Sequence, residues 1–161
     1  MDNNPSPGNK RGGLTTILEK SLGAIAKSGS APLSDVYLFG EKIDKKGFVF
    51  MDSPGFDQCS VTGQIASGAN LIVFTTGRGS VSGYMRTSCI KIATNSEMYA
   101  RMYEAMDVNC GDIISEGVSL GDKGKHIFEM FIAVASGEQT KSEKLGFGGV
   151  KFVPWQIVTV M

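Results

Sequence analysis

The sequence predicts an α/β domain in three layers, a mostly parallel sheet with helices on both faces. Three observations carry this. Short continuous apolar runs alternate with segments whose apolar residues recur at helical spacing, the pattern of strands joined by crossover helices. The order strand, helix, strand over residues 48–76 makes a βαβ unit, whose crossover is right-handed and whose strands are parallel. A length of 161 residues fits one compact domain with a core of its own. The apolar runs predict a sheet of about four to six strands.

Residues 1–13, with NNPSPGNKRGG, are dense in Pro, Gly and Asn and read as an irregular arm, leaving 14–161 for the α/β domain. Leu14, Ile17, Leu18, Leu22, Ile25 and Ala26 then share one helical face, Thr16 and Glu19 match a capping box, and Gly29 ends the helix. After a Ser/Ala/Pro linker, DVYLFG reads as a short strand and EKIDKKG as a turn. FVFM, closed by DSPG, suits a strand buried on both faces. Val61, Ile65, Ala66 and Ala69 keep helical spacing, with Asp57 as the helix cap and Cys59 packed inside. NLIVFTT is a further buried strand. Parallel pairing with FVFM sets DSPGFD and TTGRGSVSG on one sheet edge, where ligands of α/β proteins bind.

CIKIAT is the next strand, with Ile90 and Ile92 on one face and Lys91 on the other. TNS follows as a helix N-cap, and the helix from Ser96 carries Met98, Met102 and Met106 at intervals of four beside Tyr99 and Tyr103. That stripe reads as core packing. DVNCGDI reads as loop. Ile127, Phe128, Phe131, Val134 and Ala135 form one face of a helix from Leu120 to Gly137. EQTKSEKLGFGG is a polar loop, and QIVTVM, after Pro154, a terminal strand.

Sixteen basic and sixteen acidic residues balance, so the chain lacks the charge footprint of a nucleic-acid or anionic-membrane binder. No apolar run reaches the roughly 20 residues that span a bilayer, and the start of the chain lacks a signal-peptide core. Cys59, Cys89 and Cys110 form no C-x-x-C pair, which argues against a disulfide framework and a zinc knuckle. These features read as cytoplasmic. His126 shares a helix face with Asp122, Lys123 and Glu129 and reads as a surface residue. A single histidine excludes a metal site built from His clusters.

TTGRGSVSG is the segment best suited to chemistry. Its G-x-G spacing lets backbone N–H groups converge on an anion. No helix opens directly from it and no G-K-[ST] is present, so it matches neither a Rossmann nor a Walker A loop. Arg78 supplies a planar fork that fits a carboxylate bidentately, and Thr75, Thr76, Ser80 and Ser82 add hydroxyls suited to a polyhydroxylated ligand.

NPSPGNKRGGLTTILEKSLG, FTTGRG, KIATNSEMY, DVNCGDI and ASGEQTKSE, in this order, resemble the C-terminal region of the galactarate dehydratase/altronate dehydratase family, over nearly the whole chain. The resemblance implies a hydro-lyase that removes water from an aldarate or aldonate to give a 2-keto-3-deoxy acid. It also implies dependence on a divalent metal, usually iron, in the full-length enzyme. Members are longer than this chain, so the resemblance makes it a C-terminal domain, partnered by N-terminal and central regions and open to homodimer formation. It points to Thr75, Thr76, Gly77, Arg78 and Gly79 as substrate-binding, with Asn9, Lys10, Glu19 and Lys20 contributing to the same or an adjoining site. Catalytic base and metal ligands stay unassigned. MDSPGFDQCSVTGQ and FVPWQIVTVM lean toward galactarate-type members. The competing readings are a non-catalytic assembly domain of the same enzyme, a sulfolactate sulfo-lyase subunit and a sugar-acid sensor.

Overall fold

The computed structural model of the chain describes residues 4–149, 152 and 153. The chain divides into two compact units, one running up to Ser67 and the other spanning Gly68–Pro154.

In the first unit the order is α1 (Pro7–Arg11), α2 (Ile17–Ala26), β1 (Leu33–Tyr37), β2 (Phe48–Met51) and α3 (Asp57–Ala66). Within the expected irregular arm, Ser6 caps one turn of helix with Pro7 at its first position, where a missing N–H costs nothing. Thr16 and Glu19 make the expected capping box of α2. The helix nevertheless leaves its apolar face open, with Leu18, Leu22 and Ile25 all exposed. β1 and β2 pair in parallel, with Val36 opposite Phe50 and Tyr37 opposite Met51. FVFM is half-buried and Phe50 exposed, against the expectation of a strand covered on both faces, because the sheet has two strands and covers one side. Asp57 is the first helical residue of α3 and not its cap. That position falls to Phe56, which offers no side-chain acceptor. Cys59 and Val61 are buried as the helical spacing requires.

In the second unit the order is β3 (Leu71–Thr76), β4 (Ser88–Ala93), α4 (Ser96–Arg101), β5 (Val108–Asn109), α5 (Asp112–Ser115), α6 (Leu120–Ala135) and α7 (Lys141–Lys144). The three strands form one parallel sheet in the order β3-β4-β5. Ile90, Ile92, Val108 and Val134 make the core on one face, with Ile127, Met130 and Phe131 of α6 packed against it. By strand alternation Ala93 faces the other way, where Met98 and Met106 surround it. The result is three layers, and burying one such aliphatic side chain is worth about 1.5–3 kcal/mol.

The α/β class and parallel pairing are as the sequence predicts, but the strands are shared between two sheets. β2 and β3 belong to different sheets, so the pairing that would place DSPGFD and TTGRGSVSG on one edge is not made. DVNCGDI, expected as loop, holds β5 and the start of α5, and the polar loop after α6 holds α7, capped by Thr140 and Glu143. Lys91 is fully buried, since a central strand has no solvent face. Lys123, expected beside His126 on the surface, is also buried, while His126 is exposed. QIVTVM lies outside the described residues. Among the described residues no helix is long and apolar enough to cross a membrane.

Candidate functional site

The three parallel strands of the second unit end on one edge, and the loops after them carry a group of polar side chains. β3 runs into residues 77–79, β4 into Thr94 and Asn95, and β5 into Cys110 and Gly111.

The first loop is held from below. Thr76 O accepts from Thr94 N at 3.0 Å and from Thr94 Oγ1 at 3.2 Å, which extends the β3–β4 ladder by one step. Gly77 O accepts from Asn95 Nδ2 at 3.0 Å. Gly79 has φ of +91°, so glycine is favoured on backbone grounds, and a Cβ there would also press on the flexible end of Met102. The N–H groups of Arg78 and Gly79 converge on Thr76 Oγ1 at 3.2 and 3.1 Å. The sequence expects these donors to face a ligand anion. Instead the Thr76 hydroxyl occupies them, and that leaves the Arg78 side chain as the element of the loop turned outward. Arg78 is exposed, and among the described residues no hydrogen bond or ion pair holds its guanidinium. Thr75 is exposed on β3 beside it.

The loop after β5 is a second polar cluster. Asn109 Oδ1 accepts from Gly111 N at 2.9 Å, Asn109 Nδ2 donates to Ser96 Oγ at 3.1 Å, and Ser96 Oγ meets Ser115 Oγ at 3.0 Å. Gly111 packs directly on the backbone of Asn95 and Ser96, where a side chain would collide. Sequence reasoning reads Thr94, Asn95 and Ser96 only as a helix N-cap region and passes over Asn109 and Ser115. The available signal is position alone: Asn109 ends β5 and residues 94–96 follow β4 directly, at the carboxyl ends of parallel strands, whereas Ser115 closes α5 and carries no such signal.

Asn9, Lys10, Glu19 and Lys20 belong to the first unit, whereas residues 75–79 belong to the second. Asn9 Oδ1 accepts from Ser6 N and Ser6 Oγ, completing the capping box of α1. Glu19 Oε2 accepts from Thr15 Oγ1, Thr15 N and Thr16 N, and these hydrogen bonds, the Thr15 hydroxyl first, hold its carboxyl below the usual range. Its chemistry within the described residues is that of a helix cap. Lys20 Nζ donates to Asn4 Oδ1 at 2.9 Å.

Other titratable groups follow their burial. Burial raises the Cys110 thiol, against the pull of Lys123, and raises the Tyr99 phenol. Burial lowers Lys141, whose Nζ sits 3.7 Å from the Tyr103 ring centroid and donates to Tyr103 O. Among the described residues no three His, Cys, Asp or Glu side chains converge.

The family described as D-galactarate/altronate dehydratase, C-terminal, matches residues 1–160. Over 144 residues the chain is 41% identical to galactarate dehydratase (L-threo-forming) of Escherichia coli (strain K12), covering 89% of this chain and 28% of that protein. It is 37% identical over 144 residues to altronate dehydratase of Bacillus subtilis (strain 168), covering 89% of this chain and 29% of the relative. It is 36% identical over 146 residues to (2R)-sulfolactate sulfo-lyase subunit beta of Chromohalobacter salexigens, covering 90% of this chain and 38% of that subunit. The chain thus spans less than a third of the length of these dehydratase relatives. A match over this range, on a parallel sheet whose strand ends and following segments carry FTTGRG, KIATNSEMY and DVNCGDI, shows that the chain belongs to the D-galactarate/altronate dehydratase C-terminal family.

Proposed function

We propose that this chain is the C-terminal domain of a cytoplasmic hydro-lyase that removes water from galactarate or altronate to give a 2-keto-3-deoxy acid. Its role is to supply part of the substrate site, with residues 75–79 at the centre and Arg78 as the carboxylate-binding group. The observation that supports this is the state of Arg78: exposed at the carboxyl ends of parallel strands, on a loop fixed by Thr94 and Asn95, with no ion pair among the described residues. An arginine recruited for self-packing would have an internal carboxylate, and among the described residues this one does not.

The chemistry gives that geometry a purpose. Dehydration of a sugar acid starts with loss of the proton α to a carboxylate, and the carboxylate gains charge as the enediolate forms. A guanidinium pairing bidentately with it binds the transition state more tightly than the ground state. Thr75, exposed on β3, would offer its hydroxyl to a substrate hydroxyl. The divalent metal, iron, that the family resemblance implies is assigned to other regions of the full-length protein, because the described residues bring no ligand set together. The base belongs to those regions as well, and Asn9, Lys10, Glu19 and Lys20 of this chain contribute to the same or an adjoining site.

The test is Arg78→Ala and Arg78→Lys in the full-length protein, assayed with galactarate, altronate and (2R)-sulfolactate. The alanine variant is expected to lose about 10- to 100-fold in kcat/KM on the cognate acid, with lysine recovering only part, since a point charge lacks the fork. Unchanged kinetics would remove the site assignment and leave the assembly reading, which the exposed Leu18, Leu22 and Ile25 of α2 favour.

A further inference from the structure

Asn95 makes two hydrogen bonds with the two ends of one amide. Its Oδ1 accepts from Met98 N at 2.7 Å and caps α4, and its Nδ2 donates to Gly77 O at 3.0 Å. Asn95 thereby ties the loop after β3 to the helix after β4. The other ties on that loop are of a different kind: Thr94 holds Thr76, at the strand end, and Gly79 rests on the flexible thioethers of Met98 and Met102. Within the turn Arg78 N and Gly79 N donate to Thr76 Oγ1, bonds local to the loop, whereas Gly77, with no side chain, is tied to the start of α4 through its carbonyl. The Asn95 amide is the donor that carbonyl has.

We infer that Asn95 is a positioning residue for substrate binding: its side-chain amide keeps the Arg78 loop in the arrangement that receives the substrate carboxylate. This rests on the reading of Arg78 given above. Without the amide the loop would sample other arrangements, and the apparent affinity for substrate would fall by the fraction of molecules in the competent one. A loss of that kind appears in KM, because substrate still selects the competent loop. A merely structural role would instead reduce the amount of folded enzyme and lower kcat at unchanged KM.

Two substitutions separate the cap from the clamp. Asp and Ser are both good N-caps, so Asn95→Asp and Asn95→Ser retain an acceptor for Met98 N. Asp places an oxygen where Nδ2 stood, facing Gly77 O, and Ser is too short to reach it. The serine variant also controls for charge, since an added carboxylate could repel an acidic substrate by itself. Both variants and Arg78→Ala are made in the full-length protein and followed by steady-state kinetics, thermal unfolding, and hydrogen exchange of the peptide covering residues 74–83.

The expected result is that both Asn95 variants raise KM about tenfold with kcat within about twofold, while exchange of the loop accelerates and the thermal midpoint holds. If Arg78→Ala is impaired but both Asn95 variants keep the parent KM, the inference is overturned and the site reading stands. A raised KM in the aspartate variant alone, a fall in kcat at constant KM, or unaltered loop exchange also overturns it. If Arg78→Ala is unimpaired, the site reading and the inference fall together.

Discussion

Lys123 Nζ lies 2.6 Å from Asp112 Oδ2, in an ion pair whose side chains are only 9% and 16% exposed. It joins the first turn of α6 to the first residue of α5. The second carboxylate oxygen, Asp112 Oδ1, is buried with no hydrogen-bond partner among the described residues, so the lysine carries the compensation of that charge.

Removing one partner should therefore cost far more than removing both. Lys123→Ala strands a carboxylate away from water, and the expected loss is about 3 kcal/mol of folding free energy. Replacing the pair together, as Lys123→Met with Asp112→Leu, removes both desolvation costs and should recover most of it. Equilibrium urea denaturation of the two variants decides the matter. A double variant no more stable than the single one would show that the pair is not the source of the effect.

Cys89 is 2% exposed on β4, and its thiol is pushed up to about 11, chiefly by burial, with Lys91 opposing and Asp107 and Glu143 adding to the rise. A thiol so protonated at neutral pH is a poor nucleophile. Under native conditions Cys89 should resist iodoacetamide, with Cys110, which is only half-buried, modified first. Peptide mapping after partial alkylation reads this directly, and equal rates at the two sites would contradict it.

Two glycines make contrasting predictions from the same substitution. Gly117 has φ of +72°, and a Cβ there would meet no atom within 4 Å, so Gly117→Ala carries the left-handed backbone cost alone, about 1 kcal/mol. Gly111 has an ordinary φ of −66°, yet its Cβ would enter the backbone of Asn95 and Ser96. Gly111→Ala should lose more, about 2–3 kcal/mol by the cost of overpacking, and should displace the start of α4. Thermal melts rank the pair, and the reverse order would refute the packing argument.

What can be read from the chain depends on how local the signal is. The Thr16–Glu19 capping box, the asparagine before α4 and the stop of α6 at Gly137 are set by neighbours in sequence, and each is found where its residues place it. Lys91 and Lys123 defeat such a reading, because a lysine looks solvent-facing whenever its partners are distant. Here the burial comes from a central strand and from α5. The two-residue strand β5 is too short for any periodicity, and it exists by pairing with Ile92 and Ala93. The same holds at the candidate site. FTTGRG is conspicuous as a string, but the tie from Asn95 to Gly77 crosses 18 residues and follows only from the parallel pairing of β3 and β4.

A long-range tie of the same kind sets the last prediction. Glu143 accepts from Ser88 Oγ at 2.9 Å and from Thr140 N and Oγ1 at 2.8 Å each, so it caps α7 and links it to the start of β4. Partial burial acts to raise its carboxyl, but the three hydrogen bonds outweigh this and hold it below its ordinary value of 4.5. The folded form thus binds its proton less readily than the unfolded form. By linkage the contribution to stability is fully present above the unfolded value and is lost as pH falls through the folded one. Glu143→Gln keeps the shape, removes the titration and turns one acceptor into a donor. It should cost about 1 kcal/mol at neutral pH, a modest figure because the carboxylate is only partly buried. That gap should close toward about pH 3, where the parent glutamate is itself protonated. Denaturation of parent and variant across this range measures the gap, and a difference that stays constant into acid would mean that the carboxylate charge is not what fastens α7.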